Sequence, residues 1–205
     1  MIDRESLILK HFRKVDSVIY SVLRSINFKE WVKPRKRKNS DYLAALCREV
    51  INQQLSDKVA RVIVLRFDLL FGKRINAAKI LKMSDQKLRA VGISNAKVSY
   101  IKNIARAFLK KPSMFDELHK LPDDQVVARL TSIKGVGPWT AEMFLIFTLD
   151  REDVFSFGDL GLKKAFAKLY GFENPQAKDI EKVVSKWSPF KSYGAMALWR
   201  SVDNN

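Results

Sequence analysis

What most constrains this chain is the rhythm of its apolar residues. They recur every three or four positions, in stretches that Gly, Pro, Ser or Asp then interrupt, and they almost never alternate. Residues 5–26 carry Leu7, Ile8, Phe12, Val15, Val18, Ile19, Val22 and Leu23 at helical spacing, which predicts one helical element ended by the loop containing Pro34. Ser40 or Asp41 is placed to cap a helix over 42–54, and Ser56 another over 58–72 that Gly72 terminates. Short helical turns are expected over 75–92. Ser94 then caps a longer helix to residue 110, which Pro112 breaks. Further helices are expected over 121–133, 138–149, 160–171, 180–190 and 191–202, with Pro138 suited to a first helical turn and Gly171 closing its helix. Only VFSF at 154–157 reads as extended, and it is too short to demand a sheet. The fold class is therefore all-α, built from roughly ten short helices, without tandem repeats.

Composition bounds what such a chain can do. With 205 residues and 47% hydrophobic side chains it can bury a core, as one sizeable domain or two small lobes. Lys and Arg number 38 against 22 Asp and Glu, a net +16, and the excess is one-sided. Residues 1–110 hold 25 basic and 9 acidic residues, whereas 111–205 hold 13 of each. The densest run is KEWVKPRKRKN at 29–39, a solvated basic loop or a phosphate-contacting segment. Such a charge favours a polyanion: DNA, RNA or an anionic membrane surface. Cys47 is the sole cysteine, so an internal disulfide, a four-thiolate zinc site and an iron–sulfur cluster are excluded. His11 and His119 stand far apart with no metal-ligand spacing, and His119 reads as a helix-end or surface residue. No membrane-spanning run or signal-peptide pattern is evident, so a soluble intracellular protein is expected.

The most specific pattern is VVARLTSIKGVGPWTAEMFLIF. Gly135 and Gly137 flank Val136 between two apolar helices, and Thr140 and Ala141 are small enough for close helix approach. This is an ordinary tight turn or, with its outward backbone N–H groups and the next helix N-terminus, a phosphate site. Carbonyls of the same turn could hold a monovalent cation. Farther on, FSFGDLGLKK places Asp159 where an extended piece meets a helix. Asp is a preferred N-cap, and an ionised carboxylate beside a DNA-binding turn could also stabilise a cationic sugar and orient or deprotonate water. Capping and catalysis are compatible.

These segments resemble the helix–hairpin–helix DNA glycosylase superfamily, and within it the alkylated-base branch, 3-methyladenine DNA glycosylase II. The similar stretches are EVINQQLSDKVA (49–60), LRAVGISNAKVSYIKNIA (88–105), LTSIKGVGPWTAEMFLIFTL (130–149), DVFSFGDLGLKKAF (153–166) and WSPFKSYGAMALWR (187–200), in the family's order. The resemblance implies a two-lobed helical fold over 1–205 as a single compact unit, with the helix–hairpin–helix motif over about 126–148, and a flipped nucleotide held between lobes. Asp159 matches the catalytic aspartate. Lys134, Gly135, Val136 and Gly137 match the phosphate-binding turn. Bifunctional relatives carry a lysine two residues past the second glycine; here Trp139 stands there, and an indole forms no Schiff base, so the resemblance implies a monofunctional enzyme. Trp139 and Trp199 match aromatic positions of the pocket, Met143 one that is tyrosine in some members, and Trp187 is read as structural. Gln54 matches a side chain inserted into the duplex where the nucleotide was vacated, with Gln53 supporting it. Lys58 and Lys191 are further backbone contacts.

The reaction that the resemblance implies is hydrolysis of alkylated purines, chiefly 3-methyladenine and also 7-methylguanine, from double-stranded DNA during base excision repair, leaving an abasic site. No cofactor is required, no side-chain metal site is expected, and Na+ or K+ could sit at the hairpin carbonyls. The expected partner is damaged duplex DNA, not a membrane, and the protein is expected as a monomer in cytoplasm or nucleoid if prokaryotic, nucleus if eukaryotic. The rivals are the same fold acting on hypoxanthine, ethenoadenine or an oxidised base, a non-catalytic DNA-binding module, and a ribosome- or RNA-associated protein.

Overall fold

Asp16 divides the N-terminal apolar stripe into two helices in the computed structural model, which describes residues 3–32, 39–72 and 74–203. Its backbone is extended (φ −158°, ψ 99°), and Oδ1 accepts the N–H groups of Val18 at 3.0 Å and Ile19 at 3.1 Å. A carboxylate that satisfies two N–H groups starts a new helix in preference to continuing the old one. The single element expected over 5–26 is thereby corrected to two. The basic cluster at 33–38 lies outside the described residues.

In chain order the helices are α1 (Arg4–Val15), α2 (Ser17–Ser25), α3 (Asn39–Asn52), α4 (Asp57–Phe71), α5 (Ala77–Lys82), α6 (Asp85–Ala90), α7 (Asn95–Lys110), α8 (Asp123–Thr131), α9 (Pro138–Phe147), α10 (Leu160–Tyr170), α11 (Ala177–Val184) and α12 (Lys191–Asp203). No strand occurs among the described residues, and VFSF is an extended connection ahead of α10. The punctuation acts as its chemistry predicts at most ends. Ser94 Oγ accepts the N–H of Lys97 to cap α7, Pro138 opens α9, and Gly171 closes α10 in the left-handed region (φ 69°). The start of α3 differs: it begins at Asn39, ahead of both expected caps.

Two units result, Met1–Arg35 with Asp150–Asn205 and, separately, Lys36–Leu149. In the first, which joins the two ends of the chain, α1, α2, α10, α11 and α12 surround Phe12, Phe28, Phe166 and Trp187, all fully buried. Asp16 ties this core together. Its Oδ2 accepts the Trp187 indole N–H at 2.8 Å and the Tyr170 hydroxyl at 2.5 Å, so both polar tips are satisfied inside an apolar cluster. Burial and the neighbouring Asp16 carboxylate push the Tyr170 hydroxyl well above its ordinary range, so it stays a donor. Gly194 allows α12 to cross the indole face, because a Cβ there would lie 2.3 Å from Trp187 Cε3. In the second unit α3 contacts α4, α7 and α9, α8 contacts α9, and α5 and α6 lean on α7. Tyr42 of α3 meets Phe144 of α9 edge to face at 5.3 Å between centroids. This packing brings the C-terminal end of α3 to the start of α7 and to the α8–α9 turn.

Candidate functional site

In the first unit the candidate centre is Asp159, the N-cap of α10 and only 8% exposed. Oδ1 accepts the Leu162 N–H at 2.7 Å, which the capping role requires, and also the Trp199 indole N–H at 3.2 Å. Gly161 makes room for this second bond: a Cβ there would fall 3.0 Å from Asp159 Oδ1 and 3.4 Å from Trp199 Nε1. The carboxylate is thus held by a backbone and an indole donor, which fixes its orientation. Phe157 (46% exposed) and Leu160 (72% exposed) flank it and present apolar surface on either side.

In the second unit the centre is the turn between α8 and α9. Gly135 sits at φ +103° with its α-carbon against Tyr100, where a Cβ would lie 2.1 Å from the ring. Both backbone and space therefore require glycine there. Gly137 is different: its φ is −91°, and a Cβ would meet nothing within 4 Å. The Val136 N–H does not face outward as expected, but donates to Ile133 O at 2.9 Å, and the Val136 side chain is buried, so this residue shapes the turn and presents no amide. Three carbonyls of the turn already accept protein donors. Ile133 O takes the Val136 N–H, Lys134 O takes Asn103 Nδ2 at 3.1 Å, and Gly135 O takes Gln53 Nε2 at 3.2 Å. A monovalent ion there would have only their remaining lone pairs.

The two glutamines divide their work. Gln53 is half-buried and donates its amide to Gly135 O and to the Thr140 hydroxyl at 2.8 Å, locking the end of α3 to the turn and to α9. Gln54 is exposed with φ 56°, in the left-handed region. The carbonyls beneath it are held by Lys97 of α7, whose Nζ donates to Ile51 O at 2.8 Å and Gln53 O at 2.5 Å. Desolvation lowers the Lys97 pKa from its ordinary value.

The remaining candidates are divided between the two units. Trp139 is half-buried near the start of α9 and Met143 is buried on the same helix. Lys134 and Lys58 are exposed, whereas Lys191 Nζ lies 3.4 Å from Asp153 Oδ2. Cys47 is fully buried, and burial pushes its thiol far above the ordinary range, which removes it as a nucleophile. Among the described residues no cluster of His, Cys, Asp and Glu is arranged to hold a metal ion, and no helix is long and apolar enough to cross a membrane.

The sequence model of HhH-GPD superfamily base excision DNA repair proteins matches residues 47–190, from α3 through the turn and Asp159 to the threshold of α12. The chain belongs to that superfamily. Among HhH-GPD proteins it is similar to DNA-3-methyladenine glycosylase 1 of Schizosaccharomyces pombe, 34% identical over 161 residues that cover 76% of this chain and 70% of that protein. A Bacillus subtilis relative, 30% identical over 162 residues, is matched over 75% of this chain but only 56% of its own length. The solved structure of an S. pombe 3-methyladenine DNA glycosylase in complex with abasic DNA superposes with a TM-score of 0.85 at 28% identity, covering 96% of this chain and 97% of that one. The fold is the all-α helix–hairpin–helix DNA glycosylase fold.

The two centres also contain residues that no sequence pattern marks: Lys97, Tyr100, Asn103, Thr140 as a hydrogen-bond acceptor, and Gly161. Lys97 left no distinguishing signal. A lysine in the first turn of a helix opposes the macrodipole, but Lys58 of α4 and Lys79 of α5 stand there too and are exposed.

Proposed function

We propose that this chain is a monofunctional DNA glycosylase that hydrolyses the N-glycosidic bond of alkylated purines, chiefly 3-methyladenine, in double-stranded DNA and leaves an abasic site. The observation that carries the reading is the Asp159 carboxylate, nearly buried and oriented by Leu162 N–H and Trp199 N–H in a chain of this superfamily. A purine alkylated at N3 or N7 is cationic and takes the bonding pair with it as a neutral base. The site therefore needs to stabilise positive charge on the sugar and to direct water at C1′, and an oriented carboxylate does both. No general acid is required, in keeping with His11 bonding to Trp187 O and His119 lying exposed on a short turn. Trp139 in place of a lysine leaves no amine to attack the sugar at that position, so strands stay intact. The S. pombe relatives named as 3-methyladenine glycosylases support the choice of lesion.

The remaining residues take roles around that step. The α8–α9 turn, within the motif at about 126–148, anchors the DNA backbone. Gly137 has no partner of its own to accommodate, and a bare α-carbon there lets a phosphate approach the turn. Exposed Lys134 and Lys58 add charge to that anchor, and Lys191, already beside Asp153, adds less. Trp139 and Met143 on α9, and Trp199 on α12, are assigned to contact the base, where an indole face favours a cationic ring. Gln54 enters the duplex in place of the flipped nucleotide. A monovalent ion at the turn carbonyls would add positive charge opposite a phosphate, and no step at Asp159 passes through it.

Methylated duplex DNA distinguishes the readings. The wild-type protein should release 3-methyladenine without strand breaks, and Asp159→Asn should bind abasic duplex comparably while excision falls about a hundredfold or more. Excision by D159N at the wild-type rate would overturn the assignment, and strand cleavage without added base would indicate a bifunctional enzyme.

A further inference from the structure

We infer that Lys97 is a positioning residue that holds Gln54 in its outward, left-handed conformation by clamping the carbonyls of Ile51 and Gln53 at the end of α3. This deepens the proposed function and rests on Gln54 as the residue that enters the duplex. The final carbonyls of an α-helix lack partners, and a buried orphan carbonyl is costly. Here Ile51 O and, one residue past the end of α3, Gln53 O accept from Lys97 Nζ, and Asn52 O accepts the Leu55 N–H at 3.2 Å. One ammonium thus closes the turn on both sides of Asn52.

The consequence falls on Gln54. Fixing the Gln53 carbonyl fixes the plane of the Gln53–Gln54 peptide, and Gln54 takes φ 56°, a region that non-glycine residues seldom occupy unless their surroundings hold them there. The Gln53 side chain is already committed to Gly135 O and Thr140, so it braces the same peptide from the other side. Glycine is the usual residue at the left-handed end of a helix, yet a glycine at 54 would carry nothing into the duplex. A clamped glutamine satisfies both demands. The location of Lys97 agrees: it stands where the dipole of its own helix disfavours a cation, at the negative end of α3, and it gives up part of its hydration to do so.

The test is a double-mutant cycle on duplex excision, with 2-aminopurine opposite the lesion as an optical report of insertion. Gln54→Ala should lower kcat/KM about tenfold and abolish the fluorescence rise on binding. Lys97→Met should reproduce both effects, Lys97→Arg should retain most of the wild-type behaviour, and the double variant Q54A/K97M should be no slower than Q54A. Additive losses in the double variant, or wild-type behaviour of K97M beside an impaired Q54A, overturn the positioning role. If K97M does not fold, Lys97→Gln, which retains one amide donor, should show a partial loss in both readouts, and wild-type values in both would overturn the inference equally. Wild-type excision and fluorescence by Q54A would instead overturn the insertion role itself, leaving the assignment of Asp159 intact.

Discussion

Asp16 and Asp159 are both helix N-caps with a tryptophan indole on the same carboxylate, and their surroundings separate their roles. Asp16 sits among buried aromatic rings, with Trp187 and Tyr170 on Oδ2 and two backbone N–H groups on Oδ1, so every one of its bonds is committed to the core. Asp159 lies between exposed Phe157 and Leu160, with Gly161 leaving just the room that its bond to Trp199 needs. Removing the first should cost stability; removing the charge of the second should cost chemistry. Asp16→Ala leaves two N–H donors of α2, an indole and a phenol without their acceptor. It should therefore lower the unfolding free energy by about 3 kcal/mol or more, measured by urea denaturation. A loss under about 1 kcal/mol would mean that water replaces the carboxylate and that the network is not what holds α2 to Trp187.

At the scale of elements the α8–α9 turn shows what two similar-looking glycines are for. The GVG pattern alone treats Gly135 and Gly137 as equivalent, whereas only the first is required by this fold. Gly135→Ala forces a Cβ into the Tyr100 ring at φ +103° and should destabilise the protein by about 3 kcal/mol in thermal or denaturant unfolding. Gly137→Ala should stay within about 0.5 kcal/mol of wild type and instead weaken binding to abasic duplex, because its free side faces the place proposed for a phosphate. Equal stability losses in the two variants would remove the distinction. Much of the element pattern was legible in the sequence because caps and breakers act locally: Ser94, Pro138, Gly171 and Asp159 each do what their chemistry dictates within one turn. What was not legible depends on distant partners. Asp16 reads as one more polar residue in a helical stripe until Tyr170 and Trp187 arrive from the other end of the chain. Gln53 reads as exposed until Gly135 O and Thr140 are beside it. Lys97 reads as surface charge until the end of α3 is placed over it.

For the whole molecule, the division of charge changes meaning once the chain is folded. Split by sequence, the excess lies in residues 1–110 and the turn falls in a neutral half. Split by folded unit, Lys36–Leu149 holds 21 Lys and Arg against 10 Asp and Glu, a net +11, leaving +5 of the total +16 to the other unit. The turn therefore belongs to the strongly basic unit, and Asp159 to the more nearly balanced one, so the proposed contact with the DNA backbone and the proposed chemistry at the sugar fall on different units. Counterion release then gives a quantitative test. Each phosphate neutralised by Lys or Arg contributes about −0.9 to the slope of log affinity against log salt. Exposed Lys134, replaced by Gln, should make that slope shallower by roughly one contact. Lys191→Gln should change it less, because Asp153 already sits beside that ammonium. D159N removes no phosphate contact and should leave the slope as it is while excision collapses. The three variants measured over one KCl series on abasic duplex separate the two functions: equal slope changes for K134Q and K191Q would mean that Lys191 leaves Asp153 for the DNA, and an unaltered slope in K134Q would remove Lys134 as a point of phosphate contact.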